Sequence, residues 1–122
     1  MSETLFGIHG AALELRSERM GLLASNIANA ATPGYKARDI DFAAALEARI
    51  EAGRDPFAAA NVAAARNDHI VYRTPDTASL DGNTVELGRE QVAFAENALR
   101  YSATLSFVQG KVATLTRALK GE

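Results

Sequence analysis

The sequence predicts a mainly α-helical fold: long N- and C-terminal helices paired as an αα-hairpin or coiled coil, joined by an irregular middle segment with a short β element. Three observations predict it. Phe94, Ala98, Tyr101, Leu105, Val108, Val112, Leu115 and Leu119 alternate at spacings of four and three, which is a heptad seam. Leu5, Ile8, Ala12, Leu15, Arg19 and Leu22 repeat at helical spacing near the other end. Between them, Gly53, Pro56, Asn61, Asn67, Pro75 and Asp76 scatter turn formers through the middle.

The first segment, residues 1–31, is the N-terminal helix. A second stripe, Met20, Leu23, Ile27 and Ala30, lies one position round from the first. The apolar track therefore changes face near Arg19, as a surface touching more than one neighbour would require. Gly7 and Gly10 weaken the first two turns, each by about 1 kcal/mol relative to alanine. Gly21, and Gly110 in the C-terminal helix, offer places for another backbone to approach closely.

Asn26, Asn29, Thr32, Pro33 and Gly34 form a stop signal. Thr32 precedes a proline and is pushed out of the helical region. Pro33 and Gly34 suit the central positions of a type II turn, with glycine at positive φ. Tyr35, Lys36, Ala37 and Arg38 leave in extended form, and Asp39 to Phe42 make a brief structured contact. Asp41 is placed to cap a short helix running through Leu46 to Ile50.

The second segment, residues 32–80, is otherwise turn-rich. Its strand candidate is His69–Thr74, where β-branched and aromatic residues cluster before Pro75. The loop Ser79–Asn83 leads from the second segment into the third, residues 81–122. Asn83 followed by Glu86 fits a capping box. The helix expected from Glu86 to Leu119 has 34 residues, about 50 Å at 1.5 Å per residue. Such a rod is too long to fold over a small core alone. Arg117 and Lys120 near its end suit the exposed carbonyls there.

Composition narrows function. The 122 residues carry 13 Lys and Arg against 15 Asp and Glu, so no phosphate-coating excess of cations points to nucleic acid. Cysteine is absent, which excludes disulfides, thiolate metal sites and a cysteine nucleophile. No apolar run reaches the roughly 18 residues of a membrane span, and the start has no secretory-signal pattern. The chain is 48% apolar, but much of that is alanine, which brings little area to a core. No triad, P-loop or dinucleotide fingerprint stands out, and neither His9 nor His69 has metal-ligand spacing. Asp81, Gly82 and Asn83 read as a turn rather than a calcium loop, which needs a later glutamate. No catalytic residue, metal or cofactor is expected.

Two readings of the interaction residues stand side by side. Leu15, Leu22, Leu23, Ile27, Phe94, Tyr101, Leu105, Val108, Val112, Leu115 and Leu119 pack either an assembly core or an ordinary soluble bundle. Asn26 and Asn29 either end the helix or hydrogen-bond the backbone of an adjacent subunit. Lys36, Arg38, Asp39 and Asp41 are either a solvated loop or intersubunit ion pairs, with Phe42 as an apolar anchor. As a whole, the chain is an assembling subunit or a small soluble helical adaptor that binds one partner through an exposed seam.

The run Leu22 to Phe42 resembles the N-terminal signature of bacterial flagellar axial proteins, the family of rod, hook and hook-associated subunits. Its centre is Asn26, Asn29, Thr32, Pro33, Gly34 and Tyr35. The extension Ala37–Phe42, the segments Tyr72–Asp76 and Ser79–Val85, and Glu90–Tyr101 are similar to the rod members of that family. The resemblance covers about Ile8 to Leu119, apart from roughly residues 51–67. It implies terminal helices that pair to form the inner layer of a hollow drive shaft and export conduit. It implies export without a cleaved signal and a place in the proximal rod, on the periplasmic side. The implied partners are copies of itself, other rod proteins, the membrane ring with its rod adaptor, and the export apparatus. Nucleic acid and direct membrane insertion are not implied.

Overall fold

The computed structural model describes residues 2–54 and 69–121, the side chains of residues 2–6 excepted. Five elements run in order: α1 (Ser2–Ala28), β1 (Arg38–Ile40), α2 (Phe42–Arg54), β2 (Ile70–Tyr72) and α3 (Leu87–Lys120). The fold is mainly helical, with a long helix at each end and a small sheet between, as the periodicities predict. The turn-rich reading of residues 55–68 lies outside the described residues.

The terminal helices pair antiparallel. Asn26 meets Glu90, the Arg16 carbonyl meets Asn97, and the His9 ring stacks on Phe107 at 5.4 Å. Near the start of α1 the backbone breaks at Gly7 (φ 55°, ψ −136°), a conformation open to glycine and strained for other residues.

Pairing selects a different face of α3 from the apolar seam. The buried residues of α3 are Glu90, Asn97 and Thr104, one heptad apart, with Phe94, Tyr101 and Val108 half-buried between them. Ala98 and Leu105 lie to the side, also half-buried. Beyond Val108 the seam emerges: Val112 is 44% exposed, Leu115 36% and Leu119 88%. The reason is length. α3 has 34 residues against 27 in α1, and α1 kinks where α3 runs on.

The sheet is antiparallel, with Arg38 opposite Tyr72, Asp39 opposite Val71 and Ile40 opposite Ile70. β2 lies within the expected strand candidate His69–Thr74 but is shorter, and β1 overlaps the segment expected only to leave the turn in extended form and make a brief contact. Asp41 stands before α2: its carbonyl accepts the Ala45 N–H at 2.9 Å and Oδ1 accepts the Ala44 N–H at 3.4 Å. α2 runs past Ile50 to Arg54. The apolar core is small: Leu15, Ile40 and Ala45, with Leu22, Phe42, Leu46 and Ile70 packed against it. Arg16 lies over the Phe42 ring at 4.3 Å, and Arg49 reaches back to Glu18 at 2.7 Å, so charged side chains help fix α2 on α1.

Two expectations change. Asn83 forms no capping box: the N-cap of α3 is Glu86, with no side-chain cap bond. Gly21 and Gly110 meet no other backbone among the described residues of the chain, where a Cβ built at either finds nothing within 4 Å.

Candidate functional site

Among the described residues, side-chain hydrogen bonds concentrate around the turn after α1. Helical spacing puts Leu15, Leu23 and Asn26 on the buried side of α1. β1 pairs with β2 along one edge, and its Arg38 peptide groups need partners elsewhere. Asn26 supplies them: Nδ2 donates to the Arg38 carbonyl at 2.7 Å and Oδ1 accepts the Arg38 N–H at 3.1 Å. The same Nδ2 donates to Glu90 Oε2 at 3.0 Å. One fully buried amide thus joins α1, β1 and α3.

A charged cluster continues from it. Arg73, just after β2, donates from Nη1 to Glu90 Oε1 at 2.6 Å and from Nη2 to Asp39 Oδ2 at 2.5 Å. Arg19 holds both Asp39 oxygens, from Nε at 2.8 Å and from Nη2 at 3.0 Å. Two guanidinium groups therefore face two carboxylates, and the formal charge of the four sums to zero. Burial pushes the Asp39 carboxyl up. The hydrogen bonds from Arg19, Arg73 and the Ile40 N–H outweigh it, leaving Asp39 below the ordinary carboxylate range. The Asp39 hydrogen bond correspondingly raises Arg19 above its usual value. We call this four-residue group, with Asn26, the clamp.

The turn is fixed from the other side by the loop before α3. The Tyr35 N–H donates to the Thr32 carbonyl at 3.2 Å, closing the expected turn with Gly34 at φ 74°. Asn83 Nδ2 lies 3.0 Å from the Asn29 carbonyl, 3.0 Å from that of Ala30 and 2.8 Å from that of Thr32. It satisfies the open carbonyl end of α1 from across the chain, while Asn83 Oδ1 accepts the Val85 N–H at 2.7 Å. Main-chain bonds Gly34 N–H to Asp81 O at 2.9 Å and Thr84 N–H to Tyr35 O at 3.0 Å zip loop to turn.

The residues singled out from the sequence fall into groups. Leu15 and Leu23 are buried; Leu22, Ile27, Phe94, Tyr101, Leu105 and Val108 are half-buried. Val112, Leu115 and Leu119 face outward. Asn26 is fully buried and bonded within its own chain, and Asn29 is half-buried and donates to the Ser25 carbonyl at 2.8 Å. Asp39 is interior and paired within the chain rather than across a junction. Lys36 Nζ rests 2.5 Å from the Gly82 carbonyl, Phe42 packs on the core, and Arg38 is held through its backbone.

Sequence reading passed over Arg73, Glu90, Asn83 and Asn97 as members of the site. Arg19 left one trace, a cation standing in an apolar stripe. Glu90 and Asn97 left another, recurring one heptad apart beside the seam.

Comparisons with known proteins show the family of the chain. Residues 7–36 match the family model described as flagella basal body rod protein. The FlgB flagellar basal body rod protein of Cereibacter sphaeroides is 50% identical over 121 residues, covering 95% of this chain and 94% of the relative. This chain belongs to the FlgB family of flagellar basal body rod proteins. FlgB of Escherichia coli is 42% identical, over 89% of this chain and 88% of its own length. FlgB of Salmonella typhimurium is 40% identical, over 90% and 88%. Within this FlgB-family chain, the family-model match spans the Gly7 kink, the rest of α1 and the turn as far as Lys36. Among the described residues, no helix is long and apolar enough to cross a membrane, and no group of metal-ligating side chains occurs.

Proposed function

We propose that the protein is a structural subunit of the proximal rod of the flagellar basal body. Its terminal helices join those of neighbouring subunits to build a hollow shaft that transmits torque and conducts exported proteins. The observation that carries this reading is the division of α3. Its first half is clamped against α1, while every residue from Lys111 to Lys120 is exposed, including three large apolar side chains of the seam. A solitary globular protein gains nothing from such a stripe, whereas an assembling subunit uses it. The names of the FlgB relatives support the same role, which is structural and not enzymatic.

On this reading the chain leaves the cytoplasm through the flagellar export apparatus without a cleaved signal. It then contacts copies of itself, other rod proteins, and the membrane ring with its rod adaptor. The clamp re-forms after export and sets the angle at which the middle segment leaves the helix pair.

Deletion of the gene from its source bacterium, followed by electron microscopy of isolated basal bodies, tests the proposal. The expected result is basal bodies without a completed rod, restored by the wild-type gene. Complete rods in the deletion strain would sink it. A closed complex of fixed stoichiometry with one soluble partner would favour the adaptor reading instead.

A further inference from the structure

α1 breaks within its first two turns. The backbone is helical on both sides of Gly7, which itself stands at φ 55° and ψ −136°. Neither angle belongs to a helix, and only glycine takes the pair without strain. Helix kinks have specific causes, proline or an inserted group among them. No proline lies near Gly7, and among the described residues a Cβ built on it meets nothing within 4 Å. No crowding at Gly7 therefore forces the break.

The apolar spacing runs through the break unaltered. Leu5, Ile8 and Ala12 keep the three-then-four interval of one continuous helix. Leu5, Ala12, Arg19 and Asn26 stand one heptad apart. Ala12 and Asn26 are buried, and Asn26 is bonded to Glu90 of α3. A straight α1 therefore puts position 5 on the side that faces α3. The register of the pair fixes its place along that helix. Asn26 lies by Glu90, the Arg16 carbonyl by Asn97 and His9 by Phe107. Continued through a straight α1, position 5 falls opposite about residues 108–111 and position 2 opposite about 111–114. That is where α3 loses its cover. Every residue after Val108 is exposed as far as Lys120, and beside the break Ile8 is 51% exposed and Phe107 65%.

We propose that Gly7 is a hinge, and that in the assembled rod the first turn of α1 swings into line and covers α3 beside Val112. The inference rests on the assembly reading above and adds a change of shape to it. A single helical turn gains little from pairing on its own, because few contacts offset the order it demands. A neighbouring copy lying along both helices adds contacts that only the straight form offers, and so selects that form. One glycine absorbs the whole change in dihedral angles. Straightening reaches no further than about residue 114, so Leu115 and Leu119 stay open to neighbours in either form.

Spin labels measure the swing, and the absence of native cysteine leaves only the labels introduced. Thr4→Cys and Thr114→Cys flank the expected contact. In the straight form the helix axes run about 8–10 Å apart, which pulsed electron resonance reads as one short, narrow distance; the kinked form gives a longer one. The doubly labelled free chain should show mainly the longer distance. In isolated basal bodies, with the labelled chain diluted among unlabelled copies, it should show the short one. Gly7→Ala should shift the free chain toward the short distance by roughly tenfold, because alanine favours helical dihedrals and resists positive φ. A free Gly7→Ala chain without the short distance overturns the hinge, and so does a long distance inside rods. A short distance in the free chain with Gly7 intact overturns it as well, since assembly then has nothing to close. Exclusion of the wild-type chain from basal bodies removes the rod role instead, and the Gly7→Ala comparison still decides whether Gly7 is a hinge.

Discussion

Replacing Arg73 tests whether the clamp holds the fold. Its guanidinium bridges Asp39 at 2.5 Å and Glu90 at 2.6 Å, and its side chain is 12% exposed. Methionine keeps much of the stem and removes both bonds. Hydrogen bonds to charged groups contribute about 1.5–3 kcal/mol each, so two amount to roughly 3–6. Removing one partner of a buried pair typically costs about 3–5 kcal/mol, because the other charge stays buried. Glu90, 1% exposed, keeps only Asn26, whereas Asp39 keeps Arg19. The two routes agree on about 3–5 kcal/mol, a large share of the roughly 5–15 kcal/mol that stabilises an ordinary domain. Urea unfolding followed by circular dichroism measures it. A loss below about 1 kcal/mol, the level of a surface ion pair, would refute the reasoning. Adding Glu90→Met to Arg73→Met should recover part of the loss, since the stranded carboxylate is then gone.

Three further outcomes are expected. Asp39 has a depressed folded-state pKa, so its contribution is full above the ordinary carboxylate range and fades as pH falls through that range toward the folded value. Urea midpoints should therefore drop in acid for the wild type and change less for Asp39→Asn, whose midpoint is already low at neutral pH; parallel profiles would count against the paired carboxylate. Leu15→Ala should cost about 2–5 kcal/mol in the free chain, and Leu105→Ala distinctly less because that side chain is half-buried; equal losses in thermal melts would contradict the assignment of faces. Gly34→Val places a β-branched residue at φ 74° and should cost about 1–3 kcal/mol of strain, read as a lower melting temperature; an unchanged one would mean that the turn relaxes freely.

Local chemistry made much of the fold legible. Thr32-Pro33-Gly34 ends a helix wherever it occurs, because the proline restricts the residue before it and glycine accepts positive φ. The turn is present, and Gly34 takes the expected conformation. Gly7 was equally readable as a weak point, and the backbone breaks there. The capping box failed for a physical reason. Asn83 had a local option, the start of α3, and a distant one, the open carbonyls after α1. The distant one offers three acceptors together, and only the folded chain brings them within reach.

The candidate site was less legible for the same reason. Arg19, Asp39, Arg73 and Glu90 lie up to 71 positions apart, and no periodicity connects them. Asp39 among Lys36, Arg38 and Asp41 reads as one member of a solvated charge run. Its burial depends on β1 being covered by α1 and β2, which is a tertiary event.

The sequence by itself determined the two long helices, the turn between α1 and β1 and the strand preceding Pro75, since each follows from backbone preferences and spacing within a few residues. Its similarity to FlgB proteins determined the family. Only the tertiary structure decided which side of α3 faces α1. A seam records where apolar groups lie on a helix, not which part of it a shorter partner can reach. Pairing gave the neighbouring polar positions Glu90, Asn97 and Thr104 to the interior, where Glu90 and Asn97 meet partners from α1 and from Arg73 just after β2. The rest of the apolar stripe was left facing outward.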